Sequence, residues 1–202
     1  MEQEKKLSVS VILPVFNGET TIIKTLESLL KDSEDFDELI IIDDASTDRS
    51  LALIKDYLSG KIEYVLMNHK SNKGLAASYN EAIMAAKGEL ILTLHQDVIF
   101  KGDSISSLIE PFKDEKVVAS SHCVFHPLEV WEKYDFWQKC FFARKVGKKE
   151  HGIDGKFDCF RREALLKAGL FDEKLFHSAG EDADMVFRLK KIGEVVDSRA
   201  EI

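Results

Sequence analysis

The chain is 202 residues long, 45% hydrophobic and 32% charged, with 28 basic against 36 acidic side chains and a formal net charge of −8. That length gives one domain or two small ones with a sizeable core, and the acid excess argues against a protein that wraps nucleic acid phosphates, which needs a basic surface. No run approaches the roughly 18 apolar residues of a membrane span, and residues 1–6 lack the apolar core of a secretory signal.

In the first half, apolar runs alternate with helical patterns. Residues 7–15 form a β-branched run closed by Pro14 and the turn signal Asn17-Gly18, which predicts a strand. Ile22, Ile23, Leu26, Leu29 and Leu30 then recur at helical spacing, with Thr20 or Thr21 at the start. The continuous apolar run 39–42 predicts a strand buried on both faces. A helix carrying Leu51, Ile54 and Leu58 follows, with Ser46 or Thr47 as its cap. A strand over 61–67, a helix over 75–86, a strand over 90–94 and a helix over 104–112 continue the rhythm. Such alternation predicts an α/β fold with a parallel sheet, helices on both faces and right-handed crossovers. Sheets of this kind bind ligands at the carboxyl ends of their strands, so a site is expected in the loops after Val15, Ile42 and Leu94.

Beyond residue 113 the rhythm changes. Residues 117–125, 157–160 and 194–202 read as strands, 162–168 as a short helix, and 182–192 as an amphipathic helix with Met185, Leu189 and Ile192 on one face. Between them Trp131, Tyr134, Trp137, Cys140 and Phe141 recur at near-helical spacing, followed by Arg144, Lys145, Lys148 and Lys149. The plain expectation is a helix packed on the sheet and a solvated basic loop; the alternative is an amphipathic segment that meets the acceptor or a membrane surface. No linker or repeat interrupts the chain, so a single domain over 1–202 is expected, with halves at about 8–100 and 101–202. Cys123, Cys140 and Cys159 are odd in number and widely spaced, which predicts reduced thiols in a cytoplasmic protein. His122-Cys123 with His126 lacks a fourth ligand at zinc spacing, so core packing is expected there.

Acids gather in the strand-end loops. Asp43-Asp44 follows the second strand, Asp97 the fourth, and Glu181-Asp182 with Asp184 opens the last clear helix. Carboxylates collected at one sheet edge repel unless a cation or hydrogen-bond donors are shared among them, which suggests a divalent metal with oxygen ligands, Mn²⁺ or Mg²⁺. Singly, each acid is better explained as a turn or capping residue, or as a first-turn acid favoured by the helix dipole, than as a metal ligand.

Their order and neighbours say more. Ser10-Val11-Ile12-Leu13-Pro14-Val15-Phe16-Asn17 is followed by Ile41-Ile42-Asp43-Asp44-Ala45-Ser46-Thr47-Asp48 and by Asn72-Lys73-Gly74-Leu75-Ala76-Ala77-Ser78-Tyr79-Asn80. The second half carries Phe171-Asp172-Glu173 and Glu181-Asp182-Ala183-Asp184-Met185, with Arg188 and Gly193. From about residue 8 onward this resembles the family 2 glycosyltransferases, inverting nucleotide-sugar-dependent enzymes. The resemblance implies the GT-A fold, a Rossmann-like, mostly parallel central sheet flanked by helices, with a nucleotide-binding first half and a mixed acceptor-side second half. A phospho-receiver also has an acidic pair like Asp43-Asp44, but after its first strand, whereas a full strand–helix unit precedes it here.

The resemblance also implies roles. Pro14, Val15 and Phe16, with Asn17 beside them, line the nucleotide pocket, the Phe16 ring lying against the base. Asp44 together with Asp43 accepts hydrogen bonds from base or ribose; an ionised carboxylate suits the imide N–H of uracil, thymine or guanine. Lys73 and Gly74 lie on a loop that closes over the nucleotide. His95-Gln96-Asp97 matches the family's Asp-x-Asp motif with His95 in place of the first acid. Asp97 is then the metal ligand, His95 and Gln96 lie against the nucleotide sugar, and a neutral imidazole suits Mn²⁺ better than Mg²⁺. Asp182, paired with Glu181, is the general base, and His177 lies either toward the acceptor or on the surface.

The implied reaction is metal-assisted transfer, with inversion, from a UDP, GDP or dTDP sugar to a hydroxyl of a glycan or lipid-linked acceptor. The expected location is the cytoplasm, at the inner face of the membrane if it associates peripherally. The alternative, prompted by His95, is a non-catalytic nucleotide-sugar-binding module. Family members often run longer and supply a further metal-binding histidine after the last strand. None follows Ile192 here, so a naturally short protein or a trimmed catalytic core is expected.

Overall fold

Strands that are apolar on both faces need a layer of helices on each side, and the first hundred residues build that sandwich. The computed structural model describes residues 6–100, 102–125, 128–146, 148–175 and 180–202. In it β1 (Val9–Val15), β2 (Glu38–Asp43), β3 (Val65–Asn68) and β4 (Leu90–Leu94) run parallel in the order β3-β2-β1-β4. Val11, Leu13, Leu39, Ile41, Leu92 and Leu94 meet α1 (Ile22–Leu29), α2 (Ser50–Leu58) and α4 (Ser104–Ile109) on one side. Ile12, Ile40 and Ile91, the residues between, meet α3 (Leu75–Ala85), α7 (Arg162–Ala168) and α8 (Glu181–Leu189) on the other. The period-2 alternation of strand side chains thus feeds two separate cores.

The second half extends the sheet with mixed polarity. β5 (Val117–Phe125), β6 (Lys149–His151), β7 (Phe157–Arg161) and β8 (Glu194–Glu201) complete an eight-stranded sheet ordered β3-β2-β1-β4-β7-β5-β6, with β8 beside β5. β7 is antiparallel to both β4 and β5, whereas β8 is parallel to β5. This polarity positions the site. Because β7 opposes β4, with Leu94 level with Phe157, the loop entering β7 stands at the carboxyl end of β4. β5 opposes β7, so its carboxyl end reaches the same edge.

Three local expectations need correction. The strand expected over 61–67 is confined to β3; Lys61 N–H instead donates to Leu58 O at 3.0 Å and turns the chain off α2. Ser46 and Thr47 do not cap α2, whose N-cap residue is Arg49. The aromatic segment is not one helix packed on the sheet but two short ones, α5 (Leu128–Glu132) and α6 (Phe136–Phe142). Asp135 causes the break: its carboxylate accepts the Gln138 N–H while the Gln138 side chain accepts the Asp135 N–H, a reciprocal cap that starts a new helix. Phe136, Trp137 and Phe141 are left 70%, 78% and 78% exposed. No disulfide joins the cysteines; Cys123 and Cys159 are buried and Cys140 is exposed.

Leu92 lies wholly buried in the central strand β4. Leu92→Ala is expected to cost about 2–5 kcal/mol of stability, as cavity-forming truncations do, measured by urea unfolding; a loss under about 1 kcal/mol, the surface-substitution range, would contradict this packing.

Candidate active site

The strand order reverses direction between β1 and β4, the place where open α/β sheets form their crevice. The β1–β2 ladder runs to Val15–Asp43, but the β1–β4 ladder ends at Ile12–Thr93, and Pro14 has no N–H with which to donate a further rung. Beyond that point Gln96 holds the two loops together. Its Oε1 accepts the Phe16 N–H at 2.9 Å and its Nε2 donates to Phe16 O at 3.0 Å. Thr25 Oγ1 donates to Gln96 O at 2.8 Å and fixes the residue from α1. Gly18 must be bare, since a Cβ there would stand 2.5 Å from Gln96 Oε1.

The loops after β1 and β2 are bonded to each other as well. Asn17 N–H donates to Ser46 Oγ at 3.0 Å, Thr47 N–H to Asn17 Oδ1 at 2.9 Å, and Glu19 N–H to Asp48 Oδ2 at 3.0 Å. Asn17, expected beside the nucleotide pocket, thus also joins the two loops. Pro14 and Val15 are buried, Val15 within the core, whereas Phe16 stands 44% exposed at the edge.

Asp43 and Asp44 are both buried and differ sharply in what they bond. Asp44 accepts the N–H groups of Lys73 at 2.8 Å and Gly74 at 2.9 Å, and lies 2.6 Å from His69 Nδ1. Both its oxygens are therefore engaged in holding the start of α3. His69 Nε2 and Lys73 Nζ converge on Glu81 Oε2, at 3.0 and 2.9 Å, and the hydrogen bonds of Lys73 and His69 hold the Glu81 pKa below its ordinary value. Asp43 has one oxygen on the Ser46 N–H at 3.3 Å; the other, Oδ1, is buried with no hydrogen-bond partner among the described residues. It is the strand-end carboxylate with acceptor capacity to spare.

The acceptor-side residues meet this edge through the loop entering β7. His95 N–H donates to Lys156 O at 2.8 Å, and Tyr79 OH, from α3, to Gly155 O at 3.1 Å. A Cβ on Gly155 would lie 3.9 Å from both Asp182 Cβ and His95 Nε2, so these two side chains flank its bare Cα. His95 Nε2 is buried without a partner among the described residues. Burial holds the His95 pKa below its ordinary value, although Asp97 and Asp154 act in the opposite sense, so the ring is neutral at pH 7. Asp97 is exposed at the end of β4, and Glu181 and Asp182 are half-buried at the start of α8. Asn80 anchors the segment before α8, bonding Phe171 N–H and O at 2.9 and 2.8 Å and Glu173 Oε1 at 2.7 Å.

Three groups at this edge were not anticipated as a set. His122 on β5 is buried, as expected, but its Nδ1 lies 3.2 Å from Asp158 Oδ1 and its Nε2 3.4 Å from Asp154 Oδ1. Ligand atoms of the three residues all fall within 4.8 Å of one another. Burial lowers the His122 pKa, yet the hydrogen bond and charge of Asp158, then the charge of Asp154, raise it overall. The available signal was an ionisable residue inside a strand run: His122 in Val117–Phe125 and Asp158 between Phe157 and Cys159. His69 was missed for another reason, since only the fold brings β3 beside Asp44. His126 and His177 lie outside the described residues. Two clefts of about 500 and 520 Å³ elsewhere include none of the strand-end residues Phe16, Asp43, His95 or Asp97 in their walls.

Comparison with known proteins places this geometry in context. The family model described as glycosyl transferase family 2 matches residues 10–168. EpsE of Bacillus subtilis strain 168 is 40% identical over 112 residues, 55% of this chain and 37% of EpsE. The chain thus matches little more than a third of that relative's length. Among solved structures, the mannosyltransferase PcManGT from Pyrobaculum calidifontis, in complex with GDP-Man and Mn²⁺, superposes with a TM-score of 0.73 at 19% identity, covering 98% of this chain and 57% of that one. S. aureus TarS 1-349 in complex with UDP-GlcNAc gives 0.70 at 18% identity, over 97% and 56%. The GT-A fold expected from the motifs is the fold observed.

Gln96→Ala removes both bonds to Phe16. At roughly 0.5–1.5 kcal/mol per hydrogen bond, a loss of about 1–3 kcal/mol is expected, read by denaturant unfolding; an unchanged midpoint would mean that the two loops are held by something else.

Proposed function

The chain belongs to glycosyl transferase family 2, and from that premise we propose that it transfers a glycosyl group, with inversion, from a nucleoside diphosphate sugar to an acceptor hydroxyl. The observation that carries this reading is the bare Cα of Gly155 between His95 and Asp182, on the same edge as Asp97 and Asp43. The gap is where a sugar would lie, with a carboxylate on its acceptor side.

Asp43 Oδ1, buried and unpartnered, is the acceptor for an imide N–H of the base, with the exposed ring of Phe16 beside it. Asp44 acts one step back. By holding Lys73 N–H and Gly74 N–H it fixes the loop that closes over the nucleotide. Asp182 takes the proton of the acceptor hydroxyl as its oxygen attacks the anomeric carbon, while the nucleoside diphosphate leaves on the opposite face.

The donor set fits a dication: an exposed carboxylate at Asp97 and a neutral imidazole at His95 with an unpartnered nitrogen suit Mn²⁺ better than Mg²⁺. Asp97 would hold Mn²⁺ or Mg²⁺, whose charge would offset that on the leaving diphosphate. The Mn²⁺ bound by PcManGT supports this reading.

We read the acceptor as a glycan or a lipid-linked glycan met at the inner membrane face. The exposed Phe136, Trp137 and Phe141 of α6, followed by Arg144, Lys145 and Lys148, have the apolar-plus-cationic character of an interfacial segment. Co-sedimentation with anionic vesicles is expected, and is expected to fall in Trp137→Ala; equal recovery with neutral vesicles would count against it.

Calorimetry with UDP, GDP, dTDP and CDP, with and without Mn²⁺, tests the nucleotide site. Tighter binding is expected for the nucleotides with an imide N–H, lost in Asp43→Ala; a preference for CDP would remove the role given to Asp43. Asp182→Asn is expected to cut transfer by at least about 100-fold, the range for loss of a general base, with nucleotide affinity nearly unchanged. Retained transfer would refute that base. The alternative, a non-catalytic nucleotide-sugar-binding module, requires binding with neither donor hydrolysis nor transfer in the unaltered chain.

A further inference from the structure

We propose that His122 and Asp154 bind a first-row transition-metal dication, with Asp158 orienting the imidazole, at a site separate from Asp97 and independent of nucleotide. His122 Nε2 is fully buried and makes no hydrogen bond among the described residues. Leaving such an atom unsatisfied carries the full cost of its desolvation, so the position calls for a partner. The nearest polar group is Asp154 Oδ1 at 3.4 Å, poor for a hydrogen bond. It is the right separation for two ligands of one ion: bonds of about 2.1 Å at a tetrahedral angle put the two ligand atoms about 3.4 Å apart.

The group that orients the imidazole is in place. Asp158 Oδ1 lies 3.2 Å from His122 Nδ1, and Asp158 Oδ2 accepts the Gly155 N–H at 2.8 Å, which fixes the carboxylate. A proton held on Nδ1 by Asp158 leaves the lone pair on Nε2, the carboxylate–histidine–metal arrangement of metalloproteins. Asp158 is fully buried, and a wholly buried carboxylate needs a compensating charge. Asp154 is held by the Lys156 N–H at 3.1 Å and is the member that reaches solvent, its side chain 37% exposed, so an ion enters from its side. One imidazole with carboxylates favours Zn²⁺, Co²⁺ or Mn²⁺ over Mg²⁺ or Ca²⁺.

The ion would hold β5 to the loop entering β7, and so keep Gly155 between His95 and Asp182. That contrasts with the exposed Asp97 carboxylate and His95, which would hold an ion together with the phosphates of a nucleotide.

The test uses the 202-residue chain, stripped with chelator and free of nucleotide, titrated with Zn²⁺, Co²⁺ and Mg²⁺ by calorimetry and Co²⁺ absorption. Zn²⁺ and Co²⁺ are expected to bind at one ion per chain, and Mg²⁺ at least tenfold more weakly. Asp97→Asn should leave this binding intact. Asp154→Asn, at a part-exposed position that should not disturb folding, should weaken it at least tenfold, and Asp158→Asn should weaken it by about 10–100-fold, as second-shell changes do. Absence of Zn²⁺ binding, binding unaltered in Asp154→Asn, or binding lost in Asp97→Asn would each overturn the proposal. A proton on Nε2 would then be the cation between the two acids. No nucleotide or sugar enters these measurements, so their failure would leave the transfer reading standing, and the reverse holds too.

Discussion

The whole edge depends on a rung that the sheet cannot make. Pro14 lacks an N–H, and β1 parts from β4 after Ile12–Thr93, just where the strand order reverses. Diverging strands create the crevice but leave two loops with nothing to fix their spacing. The Gln96 amide supplies one donor and one acceptor to Phe16, as a peptide group on a continuing β4 would have done. Gly18 leaves room for it and Thr25 holds its backbone. Ser46, Thr47 and Asp48 then tie the loop after β2 to the same segment. Much of the Asp-Asp-x-Ser-Thr-Asp motif therefore maintains loop geometry. Its first acid is the exception, with a buried oxygen left unbonded.

Each acid at the edge meets its charge differently. Asp44 is answered by two backbone N–H groups and His69, and Asp158 by His122 and the Gly155 N–H. Asp97 stays in water, and Asp43 is answered on one oxygen only. Burying a carboxylate without donors costs several kcal/mol, so the two fully engaged acids have structural work. The acids with spare capacity, Asp43 and Asp97, are those free to meet a ligand. The net charge of −8 does not distinguish these cases; only the hydrogen-bond partners do.

The first half of the fold was legible because its strands are continuous β-branched runs and its helices have clean periodicity, as at Ile22, Leu26 and Leu29. The loops at the strand ends followed from topology alone. The segment around Trp131 was not legible: its spacing fits one helix, but the reciprocal cap at Asp135 outweighs periodicity and splits it in two. Ser46 and Thr47 have the chemistry of caps, and only the proximity of Asn17 shows that their bonds go elsewhere. Polar residues inside β5 and β7 mark His122 and Asp158, but the partners of these two, like those of His69 and Asp154, could not be read from the sequence, for one shared reason. Their partners lie on strands or loops far away in sequence, and a strand pattern does not announce which neighbour it will receive.

The same long-range contacts account for His95. An acid at this position would face Asp97, Asp154 and Asp182 on one edge, and its charge would be repelled by all three. A half-buried, neutral imidazole meets that field without adding to it, and Tyr79 stacks beside it with ring centroids 6.4 Å apart. The loop entering β7 makes this possible by bonding to β4 through Lys156, to α3 through Tyr79 and to Asp158 through the Gly155 N–H. Three elements therefore fix one residue without a side chain. Any substitution at Gly155 would both strain a backbone at φ +80° and fill the space between His95 and Asp182. The departure at His95 and the glycine opposite it belong to one arrangement, in which a less charged edge is matched to a more open one.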